Sequence, residues 1–151
     1  MVQVSPDYGD DMKLHILNSI GKIAQGRYNQ NLFFGAKGYN LRMLMNTLHF
    51  EPNLSTFENR YWIETGSQEL DKLAHYFEYG TGIYNSKGPK RMIKPRSVGK
   101  MVFPGTKKFA GQMIFTDEIK GVKPVFMMTK AVESVKNERN MLEYRIINGL
   151  R

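Results

Sequence analysis

Glycine and proline are unevenly distributed along this sequence, and their positions separate stretches that can form long helices from stretches that cannot. After Pro124 neither residue recurs until Gly149. The apolar residues between them recur at helical spacing: Met128, Val132, Val135, Leu142 and Ile146. The pattern predicts a C-terminal helix over about 124–148, with Pro124 at its first position. Such a helix would span nearly 40 Å at about 1.5 Å per residue. Two packings therefore stay open: against the protein's own sheet, or against another subunit.

The first 50 residues carry two further helical patterns. Asp10 or Asp11 is placed to cap a first helix that runs to about Gln25, with Gly26 as its stop. A second helix is predicted from Asn40 to about His49, because apolar residues recur there at spacings of three and four. Those residues are Leu41, Leu44, Met45 and Leu48. Together the two patterns predict a helical N-terminal part over about 10–50.

The middle of the chain has the pattern of short strands. "EPNLS" predicts a break, "NRYWIETGS" alternates as a strand, and "QELDKLAHYFEYG" predicts a short helix ending at Gly80. Then Pro, Gly and Lys separate the apolar pieces "RMIKP", "KMVFPG" and "FAGQMIFTDEI", whose aromatic residues we expect in a core. We predict a single α+β domain, 1–151. Its small, mostly antiparallel sheet lies in a strand-rich basic part over about 58–122 and is flanked by helices, the last of them long.

The positive charge is concentrated in one segment. The chain has a net charge of +8, yet no Asp or Glu occurs between Tyr79 and Thr116. The basic residues of that segment are Lys87, Lys90, Arg91, Lys94, Arg96, Lys100, Lys107 and Lys108. The other 14 basic residues equal the 14 acidic ones. A single basic segment predicts a directed contact surface for an acidic partner or for DNA phosphates, and the plain alternative is a solvated face.

Enzyme signatures are incomplete in this sequence. "YGTGIYNSKGPKR" lacks the Gly-Lys-Ser/Thr ending of a phosphate loop, and Asn85 stands where a dinucleotide loop needs its third glycine. Cysteine is absent, and the pair His75 and Glu78 has no second pair to complete a metal site. No apolar run approaches the roughly 20 residues that a membrane helix needs. We therefore expect no enzyme activity, no metal, no cofactor and no membrane partner.

Two turns, taken together, carry a resemblance to a known family. The first follows the short aromatic helix and consists of Phe77, Glu78, Tyr79, Gly80, Thr81 and Gly82. The second opens the C-terminal helix and contains Gly121, Lys123, Pro124, Phe126, Met127 and Ala131. In this order, over roughly Tyr61 to Val135, the chain resembles the tail-completion family of tailed double-stranded-DNA bacteriophages, also described as head–tail joining or minor tail components. On the residues themselves, Glu78 is expected to accept hydrogen bonds from the turn or to pair with a lysine.

The resemblance implies a structural protein of the virion. Members are small α+β neck subunits that assemble as a homo-oligomeric ring between the head connector and the tail, around the channel through which DNA passes. It implies contacts with neighbouring neck, connector and tail proteins, and assembly in the cytoplasm of the bacterial host. One alternative is the tail terminator, which caps the tail tube. An alternative of another class is a basic DNA-binding protein that acts alone.

Overall fold

A computed structural model describes residues 8–34, 41–96, 99–104 and 111–149 of the chain. It confirms the predicted α+β class, because the described residues combine helices with two small antiparallel sheets of two strands each. The elements in chain order are α1 (Asp10–Phe34), β1 (Leu48–Asn53), β2 (Glu58–Ile63), α2 (Gln68–Tyr79), β3 (Met101–Pro104), β4 (Met113–Thr116), α3 (Met127–Asn137) and α4 (Arg139–Gly149).

The chain forms two compact units. Met1–Asp71 together with Met127–Arg151 form the first, here called the helical unit, and Lys72–Phe126 form the second, here called the basic unit. The basic unit contains 11 basic and three acidic residues, whereas the helical unit contains 11 of each. The whole net charge of +8 therefore belongs to the basic unit. The prediction of a single domain stays a prediction.

The core of the helical unit is built on one face of α1. Ile16, Ile20 and Ala24 are buried there, and they pack with Val135 of α3 and Leu142 of α4. Half-buried side chains close this core, among them Phe57 and Tyr61. The C-terminal helices thus pack on α1, a third arrangement beside the two left open by the sequence. The reason is that α1 presents a longer apolar face than the small hairpin β1–β2 can offer.

The first helix does not end at Gly26, as the sequence predicts, but continues to Phe34. Gly26 is exposed, and no atom lies near the place where its Cβ would be. A glycine inside a helix costs only about 1 kcal/mol. Beyond it, Tyr28 and Leu32 are buried, and burying such side chains contributes about 1.5–3 kcal/mol each. Burial therefore outweighs the glycine. Asp10 and Asp11 both lie in the first turn, where carboxylates suit the helix dipole.

The second helix predicted over 40–49 is wrong. Only a 3₁₀ turn, Arg42–Leu44, forms there, and the chain enters β1 at Leu48. Asn46 adopts a left-handed φ of 63°, which ends helical geometry. Its amide N–H donates to Asn29 Oδ1 at 2.9 Å, and Asn29 Nδ2 donates back to Asn46 Oδ1 at 2.8 Å. The leucines of the predicted apolar pattern still pack in the interior, since Leu41, Leu44 and Leu48 are all buried.

The C-terminal helix predicted over 124–148 is shorter at its start and interrupted. Helix α3 begins at Met127 because Phe126 has a left-handed φ of 54°. The helix is interrupted at Glu138, between the end of α3 and the start of α4. Arg27 fixes this turn by donating to Ser134 Oγ at 2.9 Å and to Glu138 Oε2 at 2.7 Å. These two tertiary hydrogen bonds thus hold the turn at which the C-terminal helix is interrupted.

The predicted strand in "NRYWIETGS" and the helix ending at Gly80 are confirmed. Strand β2 pairs antiparallel with β1, with Phe50 opposite Tyr61. Residues of "EPNLS" predicted as a break contribute instead to β1, and the turn comes after Asn53. In the basic unit, β3 and β4 form the second hairpin, and Ile93 makes an isolated antiparallel bridge with Ile119. Two of the three short apolar pieces therefore contribute strands, whereas "RMIKP" contributes only the bridge residue Ile93.

Two glycines of α1 predict opposite effects of the same substitution. A Cβ at Gly21 would overlap the ring of Phe50, whereas a Cβ at Gly26 meets nothing. We expect Gly26→Ala to raise the free energy of unfolding by about 1 kcal/mol, since alanine favours helix. Gly21→Ala should lower it by about 1–3 kcal/mol through overpacking. Urea denaturation of the two variants measures both; equal shifts of the midpoint would contradict the packing described here.

The partly buried phenol of Tyr61 leads us to expect a loss of stability at alkaline pH. Burial raises the pKa of its phenol above the ordinary 10.0, and the hydrogen bond from Asn59 and the charge of Arg139 oppose this less strongly. As pH rises, the unfolded chain therefore loses the phenol proton before the folded protein does. The contribution of Tyr61 to the free energy of unfolding is fully present below pH 10.0 and is lost as pH rises through the folded pKa. Tyr61→Phe should show a shallower fall of the unfolding free energy above that pH. Tyr144→Phe, at an exposed site, should keep the wild-type slope.

Candidate functional site

The two turns that carry the family resemblance pack directly against each other in the basic unit. Thr81 N–H donates to the carbonyl of Val122 at 2.9 Å, and Ile83 N–H donates to that of Lys120 at 2.9 Å. In return, Val122 N–H donates to Thr81 Oγ1 at 2.8 Å. We call this contact, between Gly80–Ile83 and Lys120–Val122, the glycine corner. The hydroxyl of Thr81 thus binds across the corner, not within its own turn.

Glycine is required on both sides of the corner. Gly82 has a φ of 62° and Gly121 a φ of 98°, both in the region that side chains avoid. A Cβ at Gly82 would collide with the carbonyl of Lys120, and one at Gly121 with the carbonyl of Thr81. Both obstacles are main-chain atoms, which cannot turn aside as a flexible side chain can. The two glycines therefore set how closely the segments approach.

The corner is anchored by the end of α2. Phe77 is buried, and its carbonyl accepts the N–H of Val125 at 2.6 Å. Gly80 closes the helix with a φ of 77°, and a Cβ there would press on Pro124. Pro124 is therefore a packing residue of the corner, not the first residue of a helix as predicted. Pro124 nevertheless contributes to this packing as a member of the second turn of the resemblance.

Glu78 is the one buried charged side chain among the described residues, with 1% of its surface exposed. A carboxylate that is removed from water needs hydrogen bonds or opposite charge to compensate. Its predicted partner, the turn or a lysine, stays a prediction. Next to it, the ring of Tyr79 packs edge to face with His75 at 4.8 Å between ring centres. The exposed His75 and the buried Glu78 thus have different surroundings.

The corner has the geometry of a structural turn and not of a phosphate loop. A phosphate loop directs free main-chain N–H groups at its ligand. Here the N–H groups of Gly80, Thr81 and Ile83 all donate to carbonyls of the protein. The sequence excluded a phosphate loop on composition, and the hydrogen bonds add a geometric reason.

The structure brings together some of the predicted basic residues and separates others. Arg91, Lys94 and Arg96 line an open groove of about 1000 Å³, together with Met92, Ile93 and Glu118. Lys90 and Lys100 are exposed outside its lining. Lys87 is placed over the ring of Tyr79, with its Nζ 3.7 Å from the ring centre. Lys107 and Lys108 lie outside the described residues.

The cations of the groove are not neutralised by their surroundings. The ion pairs Arg27–Glu138 and Arg139–Glu143 both lie in the helical unit. Arg91, Lys94 and Arg96 are exposed and make no ion pair with any described residue. Glu118 contributes one negative charge to a lining with three positive ones. The groove therefore attracts anionic groups.

Sequence reasoning missed a second exposed surface on the hairpin β3–β4. Val102 faces Phe115 across the hairpin, and Met113 is two residues before Phe115 on the same face. These side chains are 49%, 63% and 57% exposed, respectively. The expectation that aromatic residues of the strand pieces lie in a core is wrong for Phe115, because a hairpin of two strands covers neither of its faces. The alternation of side chains in "MIFT", which places Met113 and Phe115 on one face, was the sequence signal for this surface.

Neither a metal cluster nor a membrane helix occurs in the described ranges. No three His, Asp or Glu side chains come close enough there to hold a metal ion. No helix among those residues combines the length and the hydropathy needed to cross a membrane. Comparison with models of known protein families, with curated proteins and with solved structures finds no match.

The glycine corner predicts a large difference between two substitutions at left-handed glycines. Gly66, with a φ of 75°, has open space around its Cβ position, whereas Gly82 meets the carbonyl of Lys120. Gly66→Ala should cost only the backbone strain, about 1 kcal/mol. Gly82→Ala should cost a further 1–3 kcal/mol or so, because the main chain must move. Thermal unfolding followed by circular dichroism measures both, and equal losses would show that the close approach at the corner is not rigid.

Proposed function

We propose that this protein is a structural subunit of a bacteriophage neck, which joins the head connector to the tail as part of a ring around the DNA channel. In this role it is a component of the virion and has no enzymatic activity. It contacts copies of itself and the neighbouring neck, connector and tail proteins. Assembly takes place in the cytoplasm of the bacterial host.

The observation that carries this proposal is the glycine corner. The resemblance depends on two turns that are about 40 residues apart in sequence, and a chance likeness would not require them to meet. In the basic unit they share three hydrogen bonds, and the glycines of each turn make room for the main chain of the other. Three residues of the resemblance, Thr81, Gly82 and Gly121, therefore meet in one structural contact, and this supports the proposal.

Exposed apolar side chains on both units support an assembly role. In the helical unit, Phe33 and Phe34 are 56% and 75% exposed at the end of α1. In the basic unit, the hairpin face with Met113 and Phe115 is exposed. Surfaces of this kind mark contacts between proteins. A ring needs two different patches on each subunit, since its interfaces are head to tail.

The proposal predicts that the protein occurs in purified virions, at the junction of head and tail. Mass spectrometry of gradient-purified particles should detect it, and antibody labelling in electron microscopy should place it at the neck. A nonsense mutation in its gene should leave finished heads and finished tails unjoined, because only the joining step is lost.

Two other outcomes distinguish the alternatives. Tails of uncontrolled length in the nonsense mutant would indicate a tail terminator, since a tube without its cap continues to grow. Absence from particles, together with retardation of duplex DNA at moderate salt, would indicate a DNA-binding protein that acts alone. Complementation with the wild-type gene is the control for the mutation itself.

A further inference from the structure

The segment Pro89–Arg96 has an unused main-chain edge. Ile93 exchanges both of its hydrogen bonds with Ile119: Ile93 N–H donates at 2.8 Å, and Ile119 N–H donates back at 2.9 Å. In an extended chain, successive residues direct their N–H and C=O groups to opposite sides. Met92 and Lys94 therefore direct theirs away from Ile119. Neither makes a main-chain hydrogen bond with any described residue.

The prolines of this segment do not block that edge. Pro89 and Pro95 lie four and two positions from Ile93, so in an extended chain their nitrogen atoms face the same side as that of Ile93, toward Ile119. The N–H groups that these prolines lack are therefore missing only from that side. Lys90, Met92 and Lys94 fall on the other side, and each has an N–H group; the chain bends at Arg96, where this alternation ends. Because Lys94 precedes a proline, its backbone favours the extended conformation. Up to Lys94, the free side of the segment thus offers main-chain donors and acceptors that no proline interrupts.

The side chains of the segment alternate in character. Lys94 shares one face with Met92, whereas Ile93 and Pro95 share the other with Arg91. Ile93, Met92 and Pro95 are half-buried in the groove lining, and the three cations are exposed. A strand that fits here has acidic residues on one face and apolar residues on the other.

We propose that Pro89–Arg96 is a docking strand for an extended acidic segment of a partner protein, which adds to its free edge by main-chain hydrogen bonds. Addition of a strand to an exposed edge obtains affinity from the main chain and selectivity from alternate side chains. The inference deepens the proposed function and rests on it only for the partner's identity, a neighbouring protein of the neck.

Nucleic acid fits this surface less well than an acidic protein segment does. A phosphate backbone can accept from the N–H groups of Met92 and Lys94, but it has no donor for their carbonyls and no apolar side chains to cover Ile93. Single strands bind largely by stacking on aromatic rings. The rings of Tyr79 and Tyr84 each have a lysine over one face, Lys87 at 3.7 Å and Lys123 at 5.5 Å.

The experiment uses the full-length protein and a short fluorescent peptide that alternates Asp or Glu with Val. Fluorescence anisotropy should show saturable binding that weakens with salt, because the charges are exposed. Hydrogen–deuterium exchange should show protection at Met92 and Lys94 when the peptide is bound. The same peptide with N-methyl groups on alternate amides should bind about tenfold more weakly, since each N-methyl group removes a main-chain donor.

A matched pair of charge variants separates this surface from the overall charge. The triple variant Arg91→Glu, Lys94→Glu, Arg96→Glu should lose at least about tenfold in affinity. The control variant Lys22→Glu, Lys130→Glu, Arg145→Glu makes the same charge change at exposed sites of the helical unit, without ion pairs to described residues. It should keep nearly the wild-type affinity at physiological salt.

Several results would overturn the inference. Equal losses in both variants, no effect of N-methylation, or absence of protection at Met92 and Lys94 would each show general attraction of polyanions. Binding of duplex or single-stranded DNA of matched charge with equal affinity would do the same. None of these outcomes bears on whether the protein occurs in virions. The docking strand and the neck role thus succeed or fail separately.

Discussion

The close approach of two main-chain segments at Gly82 and Gly121 is the constraint on which the basic unit depends. It fixes the chain at the end of α2 and again just before α3, so that residues 83–119 form a loop closed at its base. Closing a loop of this length once, by a rigid contact, limits the conformations of everything within it. The Ile93–Ile119 bridge and the hairpin β3–β4 are then short additions to a closed loop. Without the corner, strands of four residues would have little to hold them.

The two units divide the physical properties of the protein between them. The helical unit buries a continuous apolar core along α1, and its positive and negative charges balance. The basic unit carries the whole excess charge, and among its described residues the buried apolar side chains are Ala74 and Phe77. Stability and surface charge are thus separated. This separation allows many cations to be exposed in one place, because the core that stabilises the helical unit contains none of them.

The sequence was reliable where a local signal had no tertiary competitor. Helix α2 ends at Gly80 as predicted, since Gly80 supplies the left-handed φ that ends a helix. It was misleading at Gly26, where the burial of Tyr28 and Leu32 outweighs a local stop signal. It also failed at Asn46, where the same leucine spacing serves a 3₁₀ turn and a strand. Near Asn46 the spacing identified the buried residues Leu41, Leu44 and Leu48, but it did not decide the backbone conformation, because a helix and a turn followed by a strand can both bury residues three or four apart. Beyond Gly26 the predicted stop left the buried Tyr28 and Leu32 unidentified.

The candidate site could also be predicted only in part, because some of its features are local in the sequence and others depend on contacts between distant residues. The sequence by itself determined that the cations are concentrated between Tyr79 and Thr116, that no phosphate loop exists there, and that the glycines mark sharp turns, because composition and φ preferences are local properties. Only the tertiary structure decided that Gly82 and Gly121 face each other, that Lys87 covers Tyr79, and that Arg91, Lys94 and Arg96 share a groove. Contacts between residues far apart in the chain depend on how the main chain closes, and one sequence holds no local signal for that closure.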